Sequence, residues 1–309
     1  MILFSLPKYE AIGAELESAV TGLKTGHFQL ARFDNGELYS TVHTPVASEH
    51  CVVLGSIAPP DEQLMSTVLL GHTLSKEGAG RVTALLPYLG YSRQDKDKPG
   101  ESLAAALTGR LLQAAAYDQV ITLDVHSETD KQLFPIPLLS METATLFAGA
   151  MRKHKLAGAT IVAPDNGAIP RSRAVQSAAG LPETDIPYFE KQRVGPGIVH
   201  VGPIGKVGAQ AVIIDDILDT GTTLVSACEK LVEADVREIY IMVTHGLFTG
   251  ERWKKLWRLN VKRIFITDSV PIPPDLSTDN IETLSVVPLL GRQLHHLEQH
   301  EETMTYGIG

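Results

Sequence analysis

The 309-residue chain has only two cysteines, Cys51 and Cys228, far apart and in no metal-ligand spacing. That excludes a disulfide framework and a thiolate metal centre, and makes a reducing compartment the default. No apolar run approaches the roughly 20 residues that a membrane helix needs. The first residues, Met1 to Pro7, lack the basic start and long apolar stretch of a signal peptide and read as a first strand. A cytoplasmic location with no membrane partner is therefore expected. A basic excess is missing too: 27 Lys and Arg stand against 36 Asp and Glu, a formal net charge of −9, which argues against a nucleic-acid surface. What is present is ordinary for a soluble globular protein, 44% hydrophobic and 20% charged, at a length that suits two domains.

Short β-rich apolar runs alternate with amphipathic helical patterns along the chain. The strands expected are Cys51–Ser56, Arg81–Pro87, Gln119–Leu123, Thr160–Ala163, Gln210–Ile214, Glu238–Val243 and Arg263–Thr267. Helices are expected over Glu62–Lys76, Ser102–Ala116, Leu224–Glu233 and Gly250–Leu259. Alternation of this kind predicts an α/β fold with mostly parallel sheets, their strands nearly continuously apolar because helices cover both faces. The chain also hints at a duplication. An apolar strand running into Asp124 is followed, in the second half, by another running into Asp215. The expected boundary lies near residue 145, giving halves 1–145 and 146–309.

One segment carries the chemistry most openly. After the strand ending in Ile213-Ile214 come Asp215, Asp216, Asp219, Thr220, Gly221, Thr222 and Thr223, leading into a helix. Ligands of α/β sheets bind at that end of the strands. Gly221 lets the backbone aim N–H groups at an anion, and the helix N-terminus adds a favourable dipole. The threonines supply uncharged donors, and Asp215 and Asp216 are acceptors suited to the vicinal hydroxyls of a furanose, directly or through a divalent cation. A plain strand-to-helix turn with Thr as N-cap needs neither three acids nor Thr-Gly-Thr-Thr.

This segment resembles the phosphoribosyl-diphosphate loop shared by type I phosphoribosyltransferases and ribose-phosphate diphosphokinases. Further segments favour the second family. Pro87-Tyr88-Leu89-Gly90-Tyr91-Ser92-Arg93-Gln94-Asp95 resembles its Pro-Tyr-x-x-Tyr-x-Arg-Gln-Asp stretch. Phe33-Asp34-Asn35-Gly36-Glu37 is similar to its nucleotide loop, Leu123-Asp124-Val125-His126 to its Asp-x-His metal motif, and Pro164-Asp165-Asn166-Gly167 to its Pro-Asp-x-Gly. Glu190-Lys191-Gln192-Arg193 resembles the Lys-x-Arg of its mobile catalytic loop, and Thr244–Phe248 and Thr267–Pro271 echo two more segments. The matches keep family order from Phe33 to Pro271.

The resemblance implies two phosphoribosyltransferase-like (type I) domains, internally duplicated, and transfer of the diphosphoryl group of ATP to the 1-hydroxyl of ribose 5-phosphate. On it, Lys191 and Arg193, in a Gly/Pro-rich segment expected to be a loop, close over the transferring group. Arg193, Asp215, Asp216, Asp219, Thr220, Gly221, Thr222 and Thr223 hold ribose 5-phosphate. Phe33, Asn35, Gly36, Glu37, Arg93 and Gln94 contact ATP, with Phe33 stacking on the base. His126 and Asp165 hold Mg2+, with Asp124 a further candidate. The Phe33 loop reaches a neighbouring subunit's nucleotide, so a homo-oligomer built on dimers is implied, a hexamer among the assemblies that satisfy it. Three departures stand out: Asn35 replaces the family's usual Asp, Pro170 follows the Pro-Asp-x-Gly turn and should reshape it, and the stretch from Arg193 to Ile213 is short. A phosphoribosyltransferase using the 1-diphosphate and a non-catalytic regulatory subunit are the competing readings. Arg93-Gln94 and Lys191-x-Arg193 speak against the first, and the retention of Lys191, Arg193, His126 and Asp165 against the second.

Overall fold

The computed structural model describes all residues except 195, 196, 274, 275, 278 and 306–309, and the side chains of 191–200 and 300–305 lie outside the description. It divides into two compact units, Met1–Met141 together with the chain from Val286 onward, and Glu142–Ser285. The C-terminal segment thus belongs with the first unit, which a single cut near 145 does not capture.

In chain order, the first unit holds β1 (Ile2–Ser5), α1 (Glu10–Ala19), β2 (Lys24–Thr25), β3 (Phe28–Arg32), β4 (Leu38–Val42) and β5 (His50–Leu54). It continues through α2 (Glu62–Lys76), β6 (Arg81–Leu86), α3 (Ala104–Ala114), β7 (Gln119–Leu123), α4 (Glu128–Leu133) and β8 (Leu138–Met141). The second unit contains α5 (Ala144–Lys153), β9 (Thr160–Val162), α6 (Ile169–Ala178), β10 (Tyr188–Val194), β11 (Gly197–Ile204) and β12 (Gln210–Leu218). Next are α7 (Thr222–Glu233), β13 (Glu238–Gly246), a 3-10 turn over Arg252–Arg258, β14 (Val261–Thr267) and β15 (Ile281–Leu284). Helix α8 (Val287–Thr305) then returns to the first unit, where Gly291 faces Leu16 of α1 and Val20 just after it.

Each unit is a parallel sheet with one antiparallel hairpin beside it. The first sheet runs β2-β1-β5-β6-β7-β8 and the second β15-β14-β13-β12-β9. The hairpins are β3–β4 and β10–β11. Along β12 the side chains alternate between two cores, as a period of two requires. Ala211 and Ile213 pack with Leu224, Cys228 and Leu231 of α7, whereas Val212 and Ile214 pack with Phe147, Met151 and Val175 of α5 and α6. Burial on both faces explains the uninterrupted apolar run in the sequence.

The duplication is present, but its register differs from the one the sequence suggested. In each unit the hairpin separates the first long strand from the next, so β1, β5, β6, β7 and β8 correspond to β9, β12, β13, β14 and β15. Strand β12 is therefore the counterpart of β5, and β7, running into Asp124, is the counterpart of β14, running into Asp268. The pairing of β7 with β12 rested only on an acid after an apolar strand, a pattern that several parallel strands share.

Candidate active site

The predicted sugar-phosphate segment lies at the carboxyl end of β12. The strand runs on through Asp215 and Asp216 to Leu218, further than the expected end at Ile214. Both carboxylates are buried, at 9% and 7% exposure, and the first accepts the backbone N–H of Asp216 at 2.9 Å. Arg171 of α6 reaches them with Nη1, 2.8 Å from Asp216 Oδ1 and 3.5 Å from Asp215 Oδ1. Burial, followed by the charge of Asp216, pushes the Asp215 carboxyl well above the usual range, against the pull of Arg171. The site thus stores unfavourable negative charge that a cation or a pair of hydroxyl donors would relieve.

Beyond the strand the chain turns through Asp219 and Thr220 to Gly221, the N-cap of α7, with φ of 78°. A Cβ at 221 would stand 2.7 Å from Trp253 Cα, so both backbone angle and space require glycine. The N-cap of α7 is Gly221 and not a threonine, so no N-cap side chain takes the first-turn N–H groups, which remain for an anion. Thr220 and Thr222 share a hydroxyl contact of 3.1 Å. The segment after β13 holds the turn from behind: Leu247 N–H donates to Leu218 O at 2.8 Å and Thr249 N–H to Asp219 O at 3.2 Å. Two segments singled out in sequence meet here as well, His245 Nδ1 lying 2.9 Å from Ser269 Oγ in a buried network with Thr244 and Thr267.

Asp165 caps the short 3-10 turn Asn166–Ala168, its carboxylate accepting Ala168 N–H at 3.1 Å. Pro170 enters the first turn of α6, where a missing N–H costs nothing. The departure expected to reshape this turn is absorbed there, and the next residue is Arg171. The flap is not a loop. Lys191 and Arg193 lie on β10, paired with His200 and Ile198 of β11, and residues 195 and 196 and the side chains of both cations lie outside the described residues.

In the first unit, Phe33–Glu37 forms the tip of the β3–β4 hairpin. Phe33 is 57% exposed, ruling out a core role, and its ring lies against Tyr39 with centroids 4.6 Å apart. Gly36 has φ of 91°, and Asn35 Oδ1 accepts the Glu37 N–H at 3.1 Å, so this side chain braces its own turn. Arg93 is exposed after β6, and Gln94 Oε1 accepts the Ser102 hydroxyl at 2.7 Å. Tyr91, at φ of 63°, donates its hydroxyl to Asp61 just before α2, which pushes the phenol up to about 12. Arg32 pairs with Glu62, the next residue, at 2.7 Å. Exposed His126 and half-buried Asp124 follow β7, the latter at φ of 35°. In the first unit the turn corresponding to Asp219–Gly221 carries Pro59, Pro60 and Asp61, whose acidic group at the start of α2 disfavours an anion.

Sequence reasoning gave no role to Arg171 or Trp253. An arginine after a Pro-Asp-x-Gly turn was the available signal for the first. Nothing marks the second, since its contact with Gly221 is through backbone atoms. The two hairpins occupy equivalent places in the duplication, so the nucleotide-loop residues and the Lys-x-Arg pair sit on matching elements of the two units.

Both units are similar to parts of known proteins. Residues 1–116 match the family model described as the N-terminal domain of ribose phosphate pyrophosphokinase, and residues 159–308 match the phosphoribosyl synthetase-associated domain. The chain is 31% identical over 278 residues to the ribose-phosphate pyrophosphokinase of Maricaulis maris, covering 88% of this chain and 89% of the relative. It is 30% identical over 294 residues to that of Gloeobacter violaceus, covering 94% and 87%. A crystal structure of phosphoribosylpyrophosphate synthetase from Mycobacterium smegmatis superposes with a TM-score of 0.85 at 25% identity, over 97% of this chain and 99% of that one. Two phosphoribosyltransferase-like units, a buried Asp215–Asp216 pair before a glycine-capped helix, and relatives matched along nearly their full length converge, and the chain belongs to the ribose-phosphate pyrophosphokinase family.

Proposed function

We propose that the chain carries out its family's reaction, transfer of the diphosphoryl group of ATP to the 1-hydroxyl of ribose 5-phosphate, with the acceptor sugar held on Asp215–Thr223. The 1-oxygen attacks the β-phosphorus and the bond from that phosphorus to the α,β-bridging oxygen breaks. AMP leaves with that oxygen, the 1-hydroxyl gives up its proton, and 5-phosphoribosyl 1-diphosphate is the product. Such transfers depend on positioning and charge stabilisation. The observation that carries the reading is the buried Asp215–Asp216 pair, with the Asp215 carboxyl pushed up by burial and by its neighbour, immediately before an anion-ready helix start. Asp215 and Asp216 accept the 2- and 3-hydroxyls, and Asp219, Thr220, Gly221, Thr222 and Thr223 enclose the 5-phosphate. Lys191 and Arg193 stabilise the charge of the transferring group, Arg193 also meeting the sugar. Phe33, Asn35, Gly36, Glu37, Arg93 and Gln94 hold the nucleotide.

Mg2+ is the divalent ion proposed, with His126 and Asp165 as protein ligands. An ion that keeps several waters and takes phosphate oxygens needs few protein donors. It supplies neutralisation of the phosphate charge. Among the described residues no helix is long and apolar enough to cross a membrane. A cytoplasmic homo-oligomer is proposed on the reading that the exposed Phe33 hairpin serves a neighbouring copy. The test is AMP release from ATP. It should require both ribose 5-phosphate and Mg2+ and fall by orders of magnitude in Lys191→Ala. No 1-diphosphate from the wild type, with Lys191→Ala indistinguishable from it, would refute the proposal.

A further inference from the structure

Within the first unit, the side chain of Ser127 ties the segment carrying Arg93 and Gln94 to the segment carrying His126. Its hydroxyl donates to Asp95 Oδ2 at 2.6 Å, and Asp95 is only 7% exposed. Its backbone N–H donates to Oδ2 of Asp130 at 3.2 Å, and Asp130 is fully buried. Ser127 is the N-cap of α4 and forms a capping box with Asp130. An N-cap needs only the oxygen of its hydroxyl, as an acceptor for a backbone N–H. Here the hydroxyl proton is also used, on a buried carboxylate 32 residues earlier in the chain. A hydroxyl donating to a carboxylate makes a short bond, and one strengthened where burial limits water.

Both neighbours of this bond carry proposed ligand contacts. Arg93 and Gln94 immediately precede Asp95, and Gln94 is itself held by Ser102. His126 immediately precedes Ser127, and the chain before it is fixed by Val125 N–H donating to Ser140 Oγ at 2.9 Å. Remove the hydroxyl and the two segments keep their own anchors but lose this buried link from one to the other.

We infer that Ser127 and Asp95 are positioning residues that lock the nucleotide-contacting segment Arg93-Gln94 to His126, so that nucleotide and divalent cation are bound as one unit. The inference rests on the proposed function for the identity of those ligands. Its signature is an added coupling: beyond the direct contact of Mg2+ with the ATP phosphates, each tightens the binding of the other through a bond that touches neither.

The experiment is calorimetric binding of ATP with and without Mg2+ to the wild type, Ser127→Ala, Ser127→Thr and Asp95→Asn, with steady-state kinetics in parallel. In Ser127→Ala, the Mg2+-dependent gain in ATP affinity should shrink several-fold and the KM for ATP should rise. The KM for ribose 5-phosphate should stay within twofold of the wild-type value. Ser127→Thr keeps the hydroxyl and should restore the coupling, while Asp95→Asn keeps an acceptor without charge and should fall between. An unchanged Mg2+-dependent gain in Ser127→Ala would overturn the inference, as would an equal loss of ATP affinity with and without Mg2+, or failure of Ser127→Thr to restore it. If Ser127→Ala does not fold, Asp95→Asn and Ser127→Thr decide by the same comparison. A wild type that binds Mg2+ and ATP cooperatively but forms no 1-diphosphate would defeat the proposed function and leave this coupling to be judged on the binding data alone.

Discussion

The guanidinium of Arg171 lies 2.8 Å from Asp216, with both side chains largely buried. It holds two adjacent acids in place before any ligand arrives. Breaking a buried pair by removing one partner costs about 3 kcal/mol, because a charge is left without compensation. Arg171→Met is therefore expected to lower the chemical-denaturation stability by about that amount. It should also raise the KM for ribose 5-phosphate, since the acids lose their orientation. Arg171→Lys keeps the charge but not the planar fork and should recover only part of both. Denaturation curves paired with acceptor kinetics read the two effects, and a stable Arg171→Met with an unaltered acceptor KM would count against this role.

The raised Asp215 carboxyl makes a prediction about pH. An acid with a raised folded-state pKa contributes stability that is complete below its unfolded pKa and is lost as pH rises through the folded one. Asp215→Asn keeps an oxygen for the Asp216 N–H and removes the ionisation. It should stabilise the ligand-free protein increasingly as pH rises, while weakening ribose 5-phosphate binding by more than tenfold. Binding of the acceptor together with Mg2+ should release protons in the wild type, measured as a buffer-dependent calorimetric enthalpy. A variant less stable than the wild type at high pH would contradict the assignment.

Asp130 behaves in the same sense with a defined window. Burial pushes its carboxyl up to about 6, with Asp95 adding to the rise and the Ser127 N–H opposing it. Its stability contribution is present below the ordinary carboxylate pKa and is lost as pH rises through about 6. Asp130→Asn should flatten the fall in stability between about pH 4 and 6, by about 3 kcal/mol at the upper end. Denaturant midpoints over that range test it, and parallel curves for variant and wild type would exclude it.

Gly221→Ala meets two penalties at once: a left-handed φ and a Cβ 2.7 Å from the Trp253 backbone. Together they cost about 3 kcal/mol in strain and overpacking. The sugar-phosphate turn is where the chain should yield. A fall of at least about 100-fold in kcat/KM for ribose 5-phosphate is expected, with the KM for ATP nearly unchanged. An alanine variant with wild-type acceptor kinetics would show that the turn does not need its observed geometry.

At position 35, the Oδ1 atom is committed to the Glu37 N–H, leaving the amide NH2 as the free edge. That edge suits a 6-oxo purine better than a 6-amino one. Asn35→Asp retains an acceptor for Glu37 and should leave stability within about 0.5 kcal/mol. It should raise the ATP-to-GTP donor preference by about tenfold. Equal donor ratios in variant and wild type would remove any role for this side chain in choosing the base.

Much of the fold was legible because a two-sided sheet writes its burial directly into the chain. The apolar runs at Gln119–Leu123 and Gln210–Ile214 can be read without knowing what they touch. The duplication was legible too, but its register was not: an acid after a strand marks β7 and β12 alike, and only strand order pairs β12 with β5. The β-ribbon carrying Lys191 and Arg193 was taken for a loop because glycine and proline around its tip outweigh the weaker strand signal on either side. The C-terminal helix joins the first unit through Gly291 opposite Leu16 and Val20, a long-range contact that no local pattern encodes.

The sequence alone determined the chemistry available: acids beside a Thr-Gly-Thr-Thr turn, a Lys-x-Arg pair, an Asp-x-His and an Arg-Gln-Asp, in one family's order. Residue type and spacing suffice for that, because they set charge, hydrogen-bonding capacity and backbone freedom. Only the tertiary structure decided how those groups are held. Arg171 reaches from helix α6 to the Asp215–Asp216 pair on β12, Trp253 presses against Gly221, and Ser127 reaches Asp95. These are contacts between residues distant along the chain, and their strength comes from burial, which follows from packing and leaves no local mark in the sequence.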